Sequence, residues 1–308
     1  MNSDTQRPSL ASPVAPPVPS RSPLAATTAY YRSLRGLGLM RFLLAACQRL
    51  WPALAVRAAC RIFLTPLPLK WLNRGKAWGT TWSATAWPFE DASITLYSME
   101  TPGPMVLLVH GWGGHAGQMR ALADALAAGG MRPVILEMPG HGHSAGWQSS
   151  LPQFARAIDY VTARLGPMQA LLAHSLGASA SAHVAGRCLP VERLVLLAPA
   201  ASPSGYTRMF AHVFGLAERT RAAMQARIEA REGMLMAQFE PAAAGPRVRV
   251  PTLVVHDRND TINGFADGQA YAQAVSGAQL LATEGLGHRA ILKDAQVIAR
   301  VVAFSGGR

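Results

Sequence analysis

From about residue 80 onward the chain alternates short apolar runs with longer stretches whose apolar residues recur at helical spacing. Met105-Val-Leu-Leu-Val, Pro133-Val-Ile-Leu and Val250-Pro-Thr-Leu-Val-Val are continuous rather than alternating. Continuous runs suit strands covered on both faces. The pattern predicts leading antiparallel strands over 80–86 and 92–98, then strands near 105–109, 133–137, 168–173, 191–197, 250–256 and 279–283. Helices are predicted over 115–129, 150–165, 176–187, 267–276 and 289–304. Such alternation reads as an α/β fold, a mostly parallel sheet flanked by helices. The interval 199–249 lacks a strand pattern. It reads as two or three lid helices carrying Met209, Phe210, Phe214, Met224, Met234 and Met236.

The N-terminal quarter has a different texture. Residues 1–33 are rich in Pro, Ser and Ala, cannot bury enough surface to order themselves, and read as a disordered tail. Residues 34–76 read as a basic amphipathic helical extension. Leu34 to Trp51 is apolar with Arg35, Arg41, Gln48 and Arg49 interspersed, and Pro52 sits where a second helix carrying Arg57 and Arg61 starts. No uninterrupted apolar run reaches the ~18 residues of a membrane span. The stretch also begins too late and holds too many arginines for a signal peptide. Two placements stay open: helices lying in an anionic membrane surface, or helices docked on the body.

Composition changes the picture in one respect. With 308 residues, half of them apolar and 15% charged, the chain holds one large domain, 77–308, beside the extension. The net charge of +12 suggests a polyanion partner. It is local, however: residues 1–76 contain eleven Lys/Arg against Asp4 alone, whereas the remainder is nearly balanced. No nucleic-acid motif accompanies it. The partner it implies is an anionic membrane surface reached through residues 34–76. Cys47, Cys60 and Cys188 fit no metal spacing and leave an odd thiol, which favours a reducing compartment. The expected location is cytoplasmic, peripheral on the inner membrane face if the extension binds lipid.

The chemistry concentrates at strand ends. Ala173-His174-Ser175-Leu176-Gly177 places a serine where a buried strand turns sharply into a helix, with small residues two positions to either side. That is the pattern of a nucleophile elbow, G-x-S-x-G with alanine in the first position. A serine hydroxyl needs a base within hydrogen-bond reach and an acid to orient that base. Two polar clusters follow later strands: Asp257-Arg-Asn-Asp260 and Glu284-Gly-Leu-Gly-His288.

Taken with two upstream segments, these residues resemble the α/β-hydrolase superfamily, of serine esterase and lipase type, over roughly residues 79–304. His110-Gly-Trp-Gly-Gly after a strand is similar to the family's H-G-x-x-G oxyanion loop, and Pro139-Gly140-His-Gly142-His-Ser144 to its P-G-x-G-x-S turn. The resemblance implies an α/β-hydrolase fold with a helical lid and no cofactor. It implies Ser175 as nucleophile, His288 as general base and Asp260 as triad acid, with Asp257 left open as the alternative acid. The oxyanion donors would be the backbone N–H groups of Trp112 and Leu176. His110 and His174 are read as loop organisers. The expected reaction is cleavage of a small-molecule carboxylic ester or thioester through an acyl-enzyme. Deleting residues 1–64 is expected to spare turnover of a soluble ester.

Other readings are weaker. His110, His115, His141 and His143 invite a metal, but the family turn already accounts for them. Gly111-Trp-Gly113-Gly-His-Ala-Gly117 with Glu137 resembles a dinucleotide fingerprint, but no Tyr-x-x-x-Lys follows. A catalytically silent binding protein and an acyltransferase tethered to membrane remain the alternatives.

Overall fold

Pro52 divides the N-terminal apolar segment into two helices, Leu37–Leu50 (α1) and Pro52–Phe63 (α2). Proline lacks the N–H that a helix start leaves unpaired anyway, so it opens α2 without loss. The computed structural model describes residues 37–72, 78–187 and 189–307. The tail expected over 1–33 and Cys188 lie outside the described residues.

The body is an eight-stranded sheet. In chain order its elements are Ser83–Phe89 (β1), Ala92–Ser98 (β2), Met105–Val109 (β3), Arg120–Ala128 (α3), Arg132–Glu137 (β4), Leu151–Leu165 (α4), Ala170–His174 (β5), Leu176–Ala185 (α5) and Leu194–Leu197 (β6). The lid helices Pro203–Phe214 (α6) and Glu218–Glu232 (α7) follow, then Thr252–Asp257 (β7), Phe265–Ala274 (α8), Gln279–Thr283 (β8) and Ala295–Ser305 (α9). The spatial order is β1-β2-β4-β3-β5-β6-β7-β8. β1, β2 and β4 pair antiparallel, and all other neighbours are parallel. β3, β5, β6 and β7 are buried along their whole lengths, as strands covered on both faces must be. One apolar layer gathers Leu107, Val109, Phe154, Ile158 and Leu171, and the other Leu108, Met119, Leu122, Leu172 and Val301.

Local chemistry moved some boundaries. β6 begins at Leu194 rather than 191, where Val191 makes only an isolated bridge to Met168. The helix expected over 289–304 is split, because the Asp294 carboxylate accepts from the Gln296 and Val297 N–H groups and starts α9 afresh. Before it, Gly287–Ala290 forms a single turn.

α1 and α2 form a hairpin docked on the lid. Leu44, Ala59 and Cys60 pack with Phe210, Phe214, Met224 and Ile228. Gln48 is buried and joins the lid helices: its Nε2 donates to the Gly215 carbonyl at 3.2 Å, past the end of α6, and its Oε1 accepts from Ala217 N–H at 2.7 Å, just before α7. Arg41 donates to the Val213 carbonyl at 2.8 Å. Among the described residues, no helix is long and apolar enough to cross a membrane.

Candidate active site

In a parallel sheet every strand delivers its following loop to the same edge, and that edge collects the polar residues of this chain. β5 ends at His174, and Ser175 turns into α5 with φ 57° and ψ −124°. A non-glycine residue in this region is strained by about 1–3 kcal/mol, so the surroundings must hold it. They do so through close approach. A Cβ on Gly111 would lie 2.6 Å from the Ser175 Cβ, and one on Gly177 would run into the His110 carbonyl and the Val109 side chain. Glycine at both positions therefore allows the β3 loop to lie against the elbow. Leu176 is the first residue of α5, so its N–H has no intrahelical acceptor. Trp112 follows Gly111 on the facing loop.

Three of the residues singled out in the sequence meet here. His288 Nε2 lies 3.1 Å from Ser175 Oγ, and His288 Nδ1 lies 2.7 Å from Asp260 Oδ2. The other carboxylate oxygen, Oδ1, accepts from the Ile262 and Asn263 N–H groups at 2.8 and 3.1 Å. Both oxygens of Asp260 are thus occupied by donors. Burial alone would raise this carboxyl, but hydrogen bonds from His256 and His288 and the His288 charge hold it well below the usual carboxylate range. Asp257 is turned elsewhere. It accepts from the Thr283 hydroxyl, Leu286 N–H and Asn259 N–H, tying the β8 loop down without touching an imidazole.

The flanking histidines are fixed by backbone groups. His174 Nε2 bonds the His288 carbonyl at 2.9 Å, clamping the β8 loop onto β5, and burial with the nearby His288 lowers its pKa to about 3. His110 Nε2 accepts from Met138 N–H and its Nδ1 donates to the Gly111 carbonyl. His141 Nε2 accepts from Gly113 N–H and its Nδ1 donates to the Pro139 carbonyl. Desolvation keeps both neutral, pushing His141 to about 4.

Other contributors were not assigned to this site from the sequence. Asn263 donates to the Ala198 carbonyl at 2.7 Å, lies 3.4 Å from Ser175 Oγ and accepts from the Tyr206 hydroxyl. Buried Glu137 accepts from Ala116 N–H, His143 N–H and the Tyr97 hydroxyl, joining the β3 and β4 loops. Asn263 sits in no recognisable motif, and Glu137, met in the sequence only as the acidic end of a dinucleotide-like pattern, acts instead as a brace between loops.

Above Ser175 lies a cavity of about 530 Å³, a volume in the range of small-molecule sites. The lid contributes Met209, Phe210, Phe214, Met234 and Met236, whereas Met224 packs behind them. The N-terminal segment contributes Ile62, Phe63, Leu64, Thr65 and Leu67. Five residues of the extension thus line the cavity, and removing residues 1–64 would take three of them, Ile62, Phe63 and Leu64, out of its wall. Glu229 and Arg289 are its charged members away from the triad, and Thr65, Gln118, Ser150 and Tyr206 add neutral polar groups.

The serine aminopeptidase S33 family model matches residues 100–237, the stretch holding the β3 loop, the elbow and the first lid helices. Pimeloyl-[acyl-carrier protein] methyl ester esterase of Xylella fastidiosa is 33% identical over 102 residues, which cover 31% of this chain and 36% of that protein. The chain thus spans about a third of the length of the curated relatives it matches. A hydrolase from Pseudomonas aeruginosa PA01 superposes with a TM-score of 0.59 at 20% identity, covering 75% of this chain and all (100%) of the other. A membrane phospholipase A superposes at 0.57 and 18% identity over 90% of this chain and 98% of its own. A thioesterase domain from curacin biosynthesis superposes at 0.54 and 20% identity over 73% and 98%. With its sheet order, its elbow and its loops gathered at one strand edge, the chain has the α/β-hydrolase fold.

Proposed function

We propose that the protein is a serine hydrolase that cleaves a carboxylic ester or thioester with an apolar acyl group. The observation that carries this reading is the hydrogen-bonded line Asp260–His288–Ser175, at 2.7 and 3.1 Å, beneath an apolar cavity. In the proposed cycle Ser175 Oγ attacks the acyl carbon while His288 Nε2 takes its proton. Asp260 holds the imidazole with Nδ1–H toward itself and stabilises the imidazolium that forms. The oxyanion accepts from Leu176 and Trp112 N–H groups, each donor contributing about 3 kcal/mol in the transition state. His288 returns the proton to the leaving oxygen or sulfur, and the acyl group stays on Ser175. Water then enters by the same route in reverse, deprotonated by His288, and the carboxylic acid leaves.

The lining favours an ester or thioester over a peptide. An aminopeptidase must hold a substrate ammonium with an anion, and away from the triad the described lining offers one carboxylate, Glu229, whose Oε1 is tied to Met236 N–H and Gln225. The apolar walls instead suit a hydrocarbon chain. The relatives include an acyl-carrier-protein methyl ester esterase and a thioesterase domain, in keeping with acyl substrates.

The test is a chain-length series of nitrophenyl esters. Each added methylene is worth about 0.8 kcal/mol when buried, so kcat/KM should rise roughly fourfold per carbon until the cavity is full. Ser175→Ala should abolish turnover and labelling by a fluorophosphonate. A silent binding protein would neither turn over nor label.

A further inference from the structure

We infer that the outward face of the α1–α2 hairpin is a docking surface for an anionic lipid membrane. The helices are amphipathic in an unusual direction. Their inner residues pack on the lid, as described, yet the outer face is also apolar. Of the eleven large apolar side chains exposed among the described residues, six fall within Leu39–Leu54: Leu39, Phe42, Leu43, Leu50, Trp51 and Leu54. Phe42 is 69% exposed, and Leu39 and Leu50 are each 64% exposed. Scattered exposed leucines need no explanation, but a contiguous cluster marks a binding surface.

Charge selects the occupant. Arg49, Arg57 and Arg61 are exposed among these apolar residues, and no Asp or Glu occurs between residues 37 and 64. A second copy of the chain would bring the same arginines against themselves, which is unfavourable. Anionic headgroups complement them, while the leucines and Phe42 enter the acyl boundary. Trp51 at the hairpin corner suits the headgroup level, where an amphipathic ring is most stable. Helices of 14 and 12 residues are too short to span a bilayer, so the hairpin lies on the surface.

Position gives the surface a use. α2 presents Leu54, Arg57 and Arg61 outward, and its last turn supplies Ile62 and Phe63 to the cavity above Ser175. Trp147, exposed with the Lys70 ammonium 4.9 Å over its ring, stands beside that end of α2, where Gln148 donates to the Arg61 carbonyl. One helix therefore links the lipid-facing side to the substrate cavity. The docking does not depend on the chemistry of Ser175 and is read by binding alone.

The experiment is co-sedimentation of the full chain with vesicles of phosphatidylcholine, with and without phosphatidylglycerol. The full chain should pellet with the anionic vesicles and much less with the neutral ones, and added salt should release it. Each arginine near an anionic surface is worth about fivefold in partitioning, so Arg49→Glu/Arg57→Glu/Arg61→Glu should weaken binding by on the order of a hundredfold. Leu39→Ser/Phe42→Ser/Leu43→Ser should weaken it by at least about tenfold while circular dichroism and soluble-ester turnover stay as in the wild type. Failure of the wild type to pellet overturns the inference, as does serine-variant binding equal to wild type. Light scattering provides the remaining arm: a wild-type dimer that the serine variant dissociates, without vesicle binding, assigns the face to a second copy instead.

Discussion

Replacing Asp260 with asparagine tests the proposed triad most sharply, because the geometry dictates how the amide must sit. Oδ1 of Asp260 accepts two backbone N–H groups, from Ile262 and Asn263. An asparagine amide group turned toward them would leave two donors without acceptors, at about 1–3 kcal/mol each. The carbonyl oxygen therefore takes the Oδ1 position, and the NH2 takes the Oδ2 position, 2.7 Å from His288 Nδ1. Two donors cannot face one another, so the imidazole adopts the tautomer with its proton on Nε2. That proton points at Ser175 Oγ, 3.1 Å away, where the mechanism needs a lone pair. The same exchange in the serine-protease triad lowers kcat by about 10⁴. A loss of 10³–10⁴, about 4–5 kcal/mol in the barrier, is expected here. The assay is steady-state hydrolysis of a nitrophenyl ester, with fluorophosphonate labelling and a thermal melt to show that the fold persists. Asp257→Asn serves as the comparison. Its carboxylate touches Thr283, Leu286 and Asn259 but no imidazole, so kcat should change by less than about tenfold. Retention of more than a tenth of kcat by the Asp260 variant, with the larger loss at Asp257, would refute the assignment.

Further outcomes follow from the same contacts. His110, His141 and His174 are buried and neutral, with pKa values lowered by desolvation, to about 4 and about 3 for the latter two. The unfolded chain binds protons at these residues below its ordinary histidine pKa of about 6.5, while the fold does not. Stability should therefore fall as pH drops from about 6.5 toward 4, by at most about 4 kcal/mol per pH unit for three such residues. Urea denaturation at pH 7 and pH 5 checks this, and equal midpoints would contradict it. Asp260, held low, stays ionised throughout that window. Glu137→Gln places an NH2 among three donors and should destabilise the chain by about 1–3 kcal/mol, with a larger loss in kcat than in KM if it sets the oxyanion loop. Removing residues 1–64 takes away Ile62–Leu64 and uncovers the lid core, so kcat/KM for long-chain esters should fall well below that for acetates.

What could be read from the chain alone was what depends on neighbouring residues. Continuous apolar runs mark buried strands, Pro52 marks a helix start, and small residues around Ser175 mark a turn too tight for side chains. Chain order then put Ser175, Asp260 and His288 on the loops after β5, β7 and β8, and a parallel sheet sends all such loops to one edge. The choice between Asp257 and Asp260 was open because three residues of sequence cannot tell which carboxylate a loop turns inward. In the structure the Ile262 and Asn263 N–H groups hold Asp260, not Asp257, beside His288, which is what the proposed triad rests on. Asn263 and Tyr206, and the bracing role of Glu137, were invisible for a related reason: their contacts join separate loops, and no local pattern encodes them. The N-terminal segment shows the same limit on a larger scale. Its amphipathic pattern foretold two helices, but an apolar face can be satisfied equally by lipid or by protein. Only the packed lid, with Gln48 joining α6 to α7 and Phe63 in the cavity wall, determined which side of the hairpin faces the body and which is left to the outside.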